Sequence, residues 1–436
     1  MARIDAAPIS YGGGMLSYGV QADLITPAAA MRELRYISID SYPTNEFERK
    51  AQSNLGHRND AEFTARGILH RAHKPDALQI TLPITCGDDS TQAPPVMDFL
   101  AAGGWEIVGA GDVSTIAAYV GPTEFSVTAD VLGVGAATVH GVSVLVSLTD
   151  GRLWPCLLRE YNGATGACTP AMGLPAATAP GRAVYGMWTA APLIRPVPAA
   201  KLLSFQLRTR AATYNYTGCA LSSMGELVMA PNGDMHVQLT FHVGKVDVSG
   251  ETLAAEDFAM SLRENLWSCS QFQIAGANDL AAIVNADLMV QRATWRQHYT
   301  TKPQPGIGAC DDVLADIQGY IVDRPTQGDD GSQTECEMNA VFDDDRRASW
   351  HALDEFFLAS AHPISALGQP AVVVAIPAAY YLAEPDDQND DTEAGAITQT
   401  CRFGGRSARW FPGGTTDETN RGNRDFYIAI GGAVAP

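Results

Sequence analysis

Leu78, Ile80, Leu82 and Ile84 alternate with Gln79, Thr81 and Pro83. This period of two predicts a strand with one apolar and one polar face, and Pro83 fits a strand near an edge. The pattern recurs over Thr334–Phe342, where Cys336, Met338, Ala340 and Phe342 oppose Glu335, Glu337 and Asn339. It recurs again over His236–Val243, where Val237, Leu239, Phe241 and Val243 oppose His236, Gln238, Thr240 and His242. The same reading gives strands at Arg35–Ser41, Phe125–Leu132, Val139–Thr149, Trp154–Tyr161, Ala183–Ala190, Leu202–Arg208, Tyr214–Ser222 and Met224–Met229. Later strands are expected at Ala371–Ile376, Ala378–Leu382, Ala396–Gly404 and Phe426–Ile430. Residues 44–62 read as a long polar loop, and Asn232-Gly233 as a hairpin turn between Met224–Met229 and His236–Val243.

Helical spacing is rarer. Thr91 to Pro95 opens a short helix with prolines in its first turn, Val96, Phe99 and Leu100 facing inward, and Gly103-Gly104 ending it. Asp345 can cap a second helix in which Trp350, Leu353 and Phe357 share a face, stopping before Pro363. Residues 251–266 fit a third.

The patterns come in two similar sets. Gly67-Ile68-Leu69-His70-Arg71 and Gly319-Tyr320-Ile321-Val322-Asp323-Arg324 each lead into an alternating strand and then a helix. The sets close on Arg182-Ala183-Val184-Tyr185-Gly186-Met187-Trp188 and Arg424-Asp425-Phe426-Tyr427-Ile428-Ala429-Ile430. The offsets, 319 − 67 = 252 and 424 − 182 = 242, are nearly constant and far longer than a solenoid repeat. The expected organisation is an arm over 1–30, a first domain over 31–192, a β-rich intervening segment or inserted domain over 193–284, and a second domain over 285–436. The Gly/Ala-rich arm reads as a segment that orders only against a neighbour, or as a disordered tail. The fold class expected is mainly β (α+β), two tandem β-sandwiches each flanked by a short helix.

Composition supports many short strands, with 18% charged residues, 41 Gly and 25 Pro in 436 residues. The formal charge of −20 argues against a nucleic-acid binder, which presents a basic face to phosphate. Eight scattered cysteines without a CxxC pair read as buried reduced thiols of a cytosolic product. No signal peptide is expected, and no apolar run has the roughly 18 residues needed to span a bilayer.

Candidate chemistry is sparse. Asp386, Asp387, Asp390, Asp391 and Glu393 have the oxygen ligands for Ca²⁺ but lack the central Gly of an EF-hand, and read as a solvated loop. Asp343-Asp344-Asp345 reads as a helix start, and Asp88-Asp89 and Asp329-Asp330 as turns. His236 and His242 share a strand face but stand about 20 Å apart. There is no GxSxG elbow, HExxH pair or phosphate loop. No catalytic residue, cofactor or metal is expected, and the chain is not expected to be an enzyme.

The strand Leu78–Ile84, the polar loop Cys86-Gly87-Asp88-Asp89-Ser90-Thr91-Gln92-Ala93-Pro94-Pro95, the helix Val96–Gly104, the strands through Val139–Asp150 and the closing Tyr185–Pro192 together resemble tail tube (major tail) proteins of long-tailed bacteriophages. In the second set, Ile321–Thr326, the helix after Asp345 and Ala375-Ile376-Pro377 carry the likeness. It spans about residues 30–192 and 285–436. The resemblance implies sandwiches that join sheets around a channel, and rings stacked through an arm and a long loop. It implies a virion tail location after synthesis in the host bacterial cytoplasm, with no membrane association. It also implies as partners the tape measure protein and phage DNA in the lumen, without sequence-specific binding, and tail terminator and baseplate proteins. Six tube domains per ring from a chain carrying two would make a trimer with pseudo-sixfold symmetry. A negative lumen would repel phosphate, and Glu335 and Glu337 are the candidate lumen-facing acids. The alternative is a capsid-surface or receptor-binding β protein of a virion.

Overall fold

The computed structural model describes residues 14–109 (except 25, 44–46, 53–67, 74–76 and 88–90) and 112–249 (except 172, 193–196, 199–200, 210–211 and 230–234). Beyond these it describes 271–276, 283–284, 289–298, 300–305, 317–323, 334–341, 356–382, 386–388, 398–406 and 424–433. The chain is mainly β. Three layers of antiparallel strands enclose two cores.

The first layer is an eight-stranded run. In spatial order it holds β3 (Ser38–Ser41), β6 (Ala77–Pro83), β19 (His236–His242), β18 (Thr213–Met229), β23 (Met289–Gln297), β26 (Thr334–Val341), β30 (Thr398–Arg406) and β29 (Asp386–Gln388). The alternation read from β6, β19 and β26 is met: Leu78, Ile80, Leu82, Val237, Leu239, Phe241, Cys336 and Met338 are buried, while their neighbours face out. Tyr214–Ser222 and Met224–Met229 are one strand, β18, not two. Its first residues leave the layer to join a side sheet of β2 (Arg32–Leu34), β1 (Met15–Gln21), β17 (Leu202–Arg208) and β20 (Lys245–Ser249). Gly218, at φ 66°, sits at an irregularity in the β17 pairing, between Tyr216 and Cys219, just before the β19 pairing begins at Ala220.

The second layer orders β22 (Ile283–Val284), β21 (Gln271–Gly276), β27 (Phe356–His362), β28 (Ala371–Tyr381), β31 (Tyr427–Gly431), β15 (Trp188–Pro192) and β7 (Trp105–Val108). Ala371–Ile376 and Ala378–Leu382 form one strand across Pro377. Over 371–375 its partner is β31, and over 378–381 it is β30, so the proline, which cannot donate to a ladder, falls where partners change. The helix expected after Asp345 is corrected here: Phe356–His362 is strand β27, buried at every position. Residues 342–355, the Asp343–Asp345 cap among them, lie outside the described residues, as do the expected helix 251–266 and the Asn232-Gly233 turn. The helix after Pro94 is α1 (Pro95–Ala102), whose Val96, Met97, Phe99 and Leu100 are buried in the core between the first two layers.

The third layer is a closed barrel. It takes β8 (Val113–Gly121), β9 (Glu124–Val127), β13 (Ala167–Pro170), β12 (Leu153–Asn162), β11 (Val142–Ser147) and β14 (Ala183–Gly186), which pairs back with β8. The short β10 (Thr138–Val139) pairs with the end of β12. Ala183–Ala190, expected as one strand, splits at Met187: β14 closes the barrel and β15 enters the second layer. A second core fills the barrel and its contact with the second layer. Phe356, Leu358, Val372, Val374, Ile376, Ile428 and Ile430 turn to the first core, whereas Phe357, Ala359, Ala361, Ala371, Val373, Ala375, Tyr427 and Ala429 turn to the second.

Two similar arrangements occur in the pairings. β3 pairs with β6, and between them in sequence lies the hairpin β4 (Phe47–Gln52) and β5 (Ile68–His73), where a long loop was expected. β23 pairs with β26, and between them lies the hairpin β24 (Thr300–Pro305) and β25 (Ile317–Asp323), which β16 (Val197–Pro198) also joins. Three strands, and so four antiparallel pairings, separate β3 from β23 in the layer, and the two therefore run in the same direction. The two closing strands, β15 and β31, instead pair antiparallel with each other. The segment between the two arrangements supplies β18 and β19, the middle strands of the first layer.

Candidate functional surface on the first layer

The outward face of the first layer divides by chemistry. Its β3-β6-β19 half is mostly uncharged. There Asp40 accepts hydrogen bonds from Ser38 Oγ at 2.8 Å and Thr81 Oγ1 at 2.9 Å, and from Gln238 Nε2 at 3.5 Å. Its β18-β23-β26-β30 half carries a ladder of opposite charges on adjacent strands. Arg296 Nε and Nη2 donate to Glu226 Oε1 at 3.0 and 2.8 Å, and Nη1 lies 3.4 Å from Glu337 Oε2. Arg402 Nε approaches the same Glu337 oxygen at 3.5 Å. Partial burial of Arg296 opposes its charge, but Glu226 and then Glu337 outweigh it and hold the guanidinium above its ordinary pKa.

The two acids singled out from the sequence therefore have defined settings. Glu335 and Glu337 point to the outward face of β26, with side chains 28% and 30% exposed. Glu337 is flanked by two arginines. Glu335 Oε1 stands 3.3 Å from His298 Nε2, without hydrogen-bond alignment. Alternation placed both acids on this face; it held no signal for partners that arrive from β18, β23 and β30. The face offers polar groups, several of them paired with one another across strands.

His236 and His242 are separated by environment as well as distance. His242 Nε2 donates to the Thr301 carbonyl at 2.6 Å and its ring stacks on Tyr320 at 5.9 Å, and burial lowers its pKa. Among the described residues no group of three His, Cys, Asp or Glu is placed to hold a metal ion. Of the acidic stretch, Asp386 and Asp387 belong to β29, and 389–393 lie outside the described residues, as do Asp88-Asp89 and Asp329-Asp330. Cys156, Cys168, Cys219, Cys336 and Cys401 are buried free thiols, and burial pushes Cys168 up to about 12. Such thiols stay protonated and inert at neutral pH. No helix among the described residues is long and apolar enough to cross a membrane.

A second polar group went unread in the sequence. At the start of β31, Arg424 is 1% exposed and its Nη2 lies 3.3 Å from Glu106 Oε2 on β7. Asp425, equally buried, accepts from Thr334 Oγ1 at 3.3 Å, and Gln297 Nε2 donates to that hydroxyl at 2.7 Å. The Arg-Asp pair immediately before an apolar run was the available signal. The cluster ties the first and second layers together.

The surface and fold define a layered, mainly β protein built to present a broad polar sheet. Comparison of the sequence with protein-family models and with curated proteins finds no match.

Proposed function

We propose that this chain is a structural virion protein of the phage tail tube type, assembling as stacked rings whose channel is lined by the outward face of the first layer. The observation that carries the reading is the doubled unit: β3-β6 and β23-β26, each enclosing a hairpin in sequence, run in the same direction within one continuous sheet. A rotation that carries one unit onto its neighbour needs that parallel sense. Repeated around an axis by three copies of the chain, it gives a pseudo-sixfold ring. Among the described residues β3 and β29 each pair on one side only, leaving edges suited to pairing with neighbouring copies. The polar face suits passage of DNA and of a tape measure protein, since it offers little apolar surface to adhere to. Because Glu337 is balanced by Arg296 and Arg402, the repulsion of DNA phosphate rests on the overall charge of −20 more than on this acid.

The antiparallel closing strands limit the rotation to the first layer. The barrel of residues 113–186 lies on the far side of the second layer and would decorate the outer wall. That placement favours, as a second reading, a virion-surface or receptor-binding protein. Negative-stain microscopy of the purified full-length protein under assembly conditions separates the two. Hollow tubes or rings are expected. A stable monomer, present in few copies per virion by gel densitometry, would overturn the tube reading.

A further inference from the structure

We infer that β31 is a keystone strand, docking into a slot between β15 and β28 after the rest of the fold has formed. The five residues Tyr427–Gly431 are all buried. Three pair with β15 and five with β28, so in the second layer β31 is the strand that joins the β7-β15 strip to the β28-β27-β21 strip. Its pairing with β15 spans 430 − 188 = 242 positions, against 208 − 15 = 193 for β1 with β17, the next most distant strand pair among the described residues. Closing so long a loop costs entropy before any contact repays it. The slot itself exists only once both strips are in place, because each supplies one edge.

The walls of the slot come from every layer. The Phe426 ring sits 5.8 Å from the Trp105 centroid and 6.3 Å from that of Trp295, in the first core. Tyr427 meets Gly141 of the barrel in the second core. Arg424 and Asp425 are locked against Glu106 and Thr334 as the strand seats. Before that step β15 and β28 carry open strand edges, and both charges stand in water. Late docking therefore removes an aggregation-prone edge and buries a charge pair in one event. This inference stands apart from the tube reading, since it rests on the fold of a single chain.

Pulse-labelling hydrogen exchange during refolding of the full-length chain tests it. Amides of 427–431, and those of 188–190 and 371–375 that bond to β31, are expected to gain protection together, after those of β11–β12 and β18–β19. Protection of β31 at the same time as those hairpins, or earlier, would overturn the inference. An Ile428→Val variant gives an independent arm. Its unfolding is expected to be roughly 2- to 10-fold faster with refolding unchanged. A change carried mainly by slower refolding would place β31 in the folding nucleus and defeat the idea.

Discussion

Gly141 and Tyr427 touch across the boundary between barrel and second layer, so closely that a Cβ at position 141 would overlap the tyrosine ring. Gly141 also holds φ at 61°, a region that costs other L residues about 1–2 kcal/mol. Gly141→Ala is expected to lose about 2–4 kcal/mol in urea unfolding, strain and overpacking together. In a Tyr427→Leu background the same change should cost only the strain. Equal losses in both backgrounds would mean that the ring contact contributes nothing.

Burial holds the His362 imidazole down to about 4, and the residue is 7% exposed. The folded state thus favours the neutral ring, while the unfolded chain takes up a proton near pH 6.5. The associated stability is present above about pH 6.5 and is lost as pH falls toward 4. From the 2.5-unit gap it amounts to about 3 kcal/mol. Chemical denaturation at pH 7.5 and 4.5 should show this decline on top of the carboxylate contribution, and His362→Gln should flatten it. An unchanged slope in the variant would show that the ring charges without penalty.

What was legible in the sequence depended on whether a strand has a wet face. β6, β19 and β26 each bury one face only, so hydrophobic alternation marked them correctly, and with them the surface that carries Glu335 and Glu337. β27, β28 and β31 lie between two cores and are apolar on both sides, which erases the period; β28 and β31 are still legible as strands from their apolar runs, and β27 is not. Phe357 reads into a helix on its spacing with Trp350 and Leu353; Ser360 and His362, the polar residues of Phe356–His362, are buried and give the strand no wet face. The break at Met187 was hidden for a related reason. Barrel and second layer both require buried residues there, so the composition of Ala183–Pro192 does not change where the strand changes sheet. Arg296 and Arg402, the partners of Glu337, belong to other strands and depended on the register of the whole layer.

The ladder on the first layer is a surface feature and should behave as one. With Arg296 34% and Glu226 40% exposed, an Arg296→Ala and Glu226→Ala double-mutant cycle is expected to give a coupling of about 0.3–1 kcal/mol. Raising salt to about 1 M shortens the screening length to about 3 Å and should remove most of it. A coupling that survives high salt would mean that the pair is desolvated, as it would be if the face were covered in solution.

β18 serves two sheets, and the bend between them rests on Gly218. Residues 213–217 pair with β20, β17 pairs with 213–216 and again with Cys219, and residues from 220 onward pair with β19 and β23. Gly218 turns the strand at φ 66°, with the Leu24 carbonyl 3.0 Å from where a Cβ would stand. The Tyr320 hydroxyl donates to the Gly218 carbonyl at 2.7 Å and fixes the orientation of that peptide. Gly218→Ala is expected to cost about 1–3 kcal/mol from strain and crowding. Tyr320→Phe should cost about 1–2 kcal/mol, because it leaves a buried carbonyl without its donor. Both changes act on one peptide unit, so their combined loss should fall short of the sum. Strict additivity would show that the tyrosine stabilises its own hairpin and has no part in the bend.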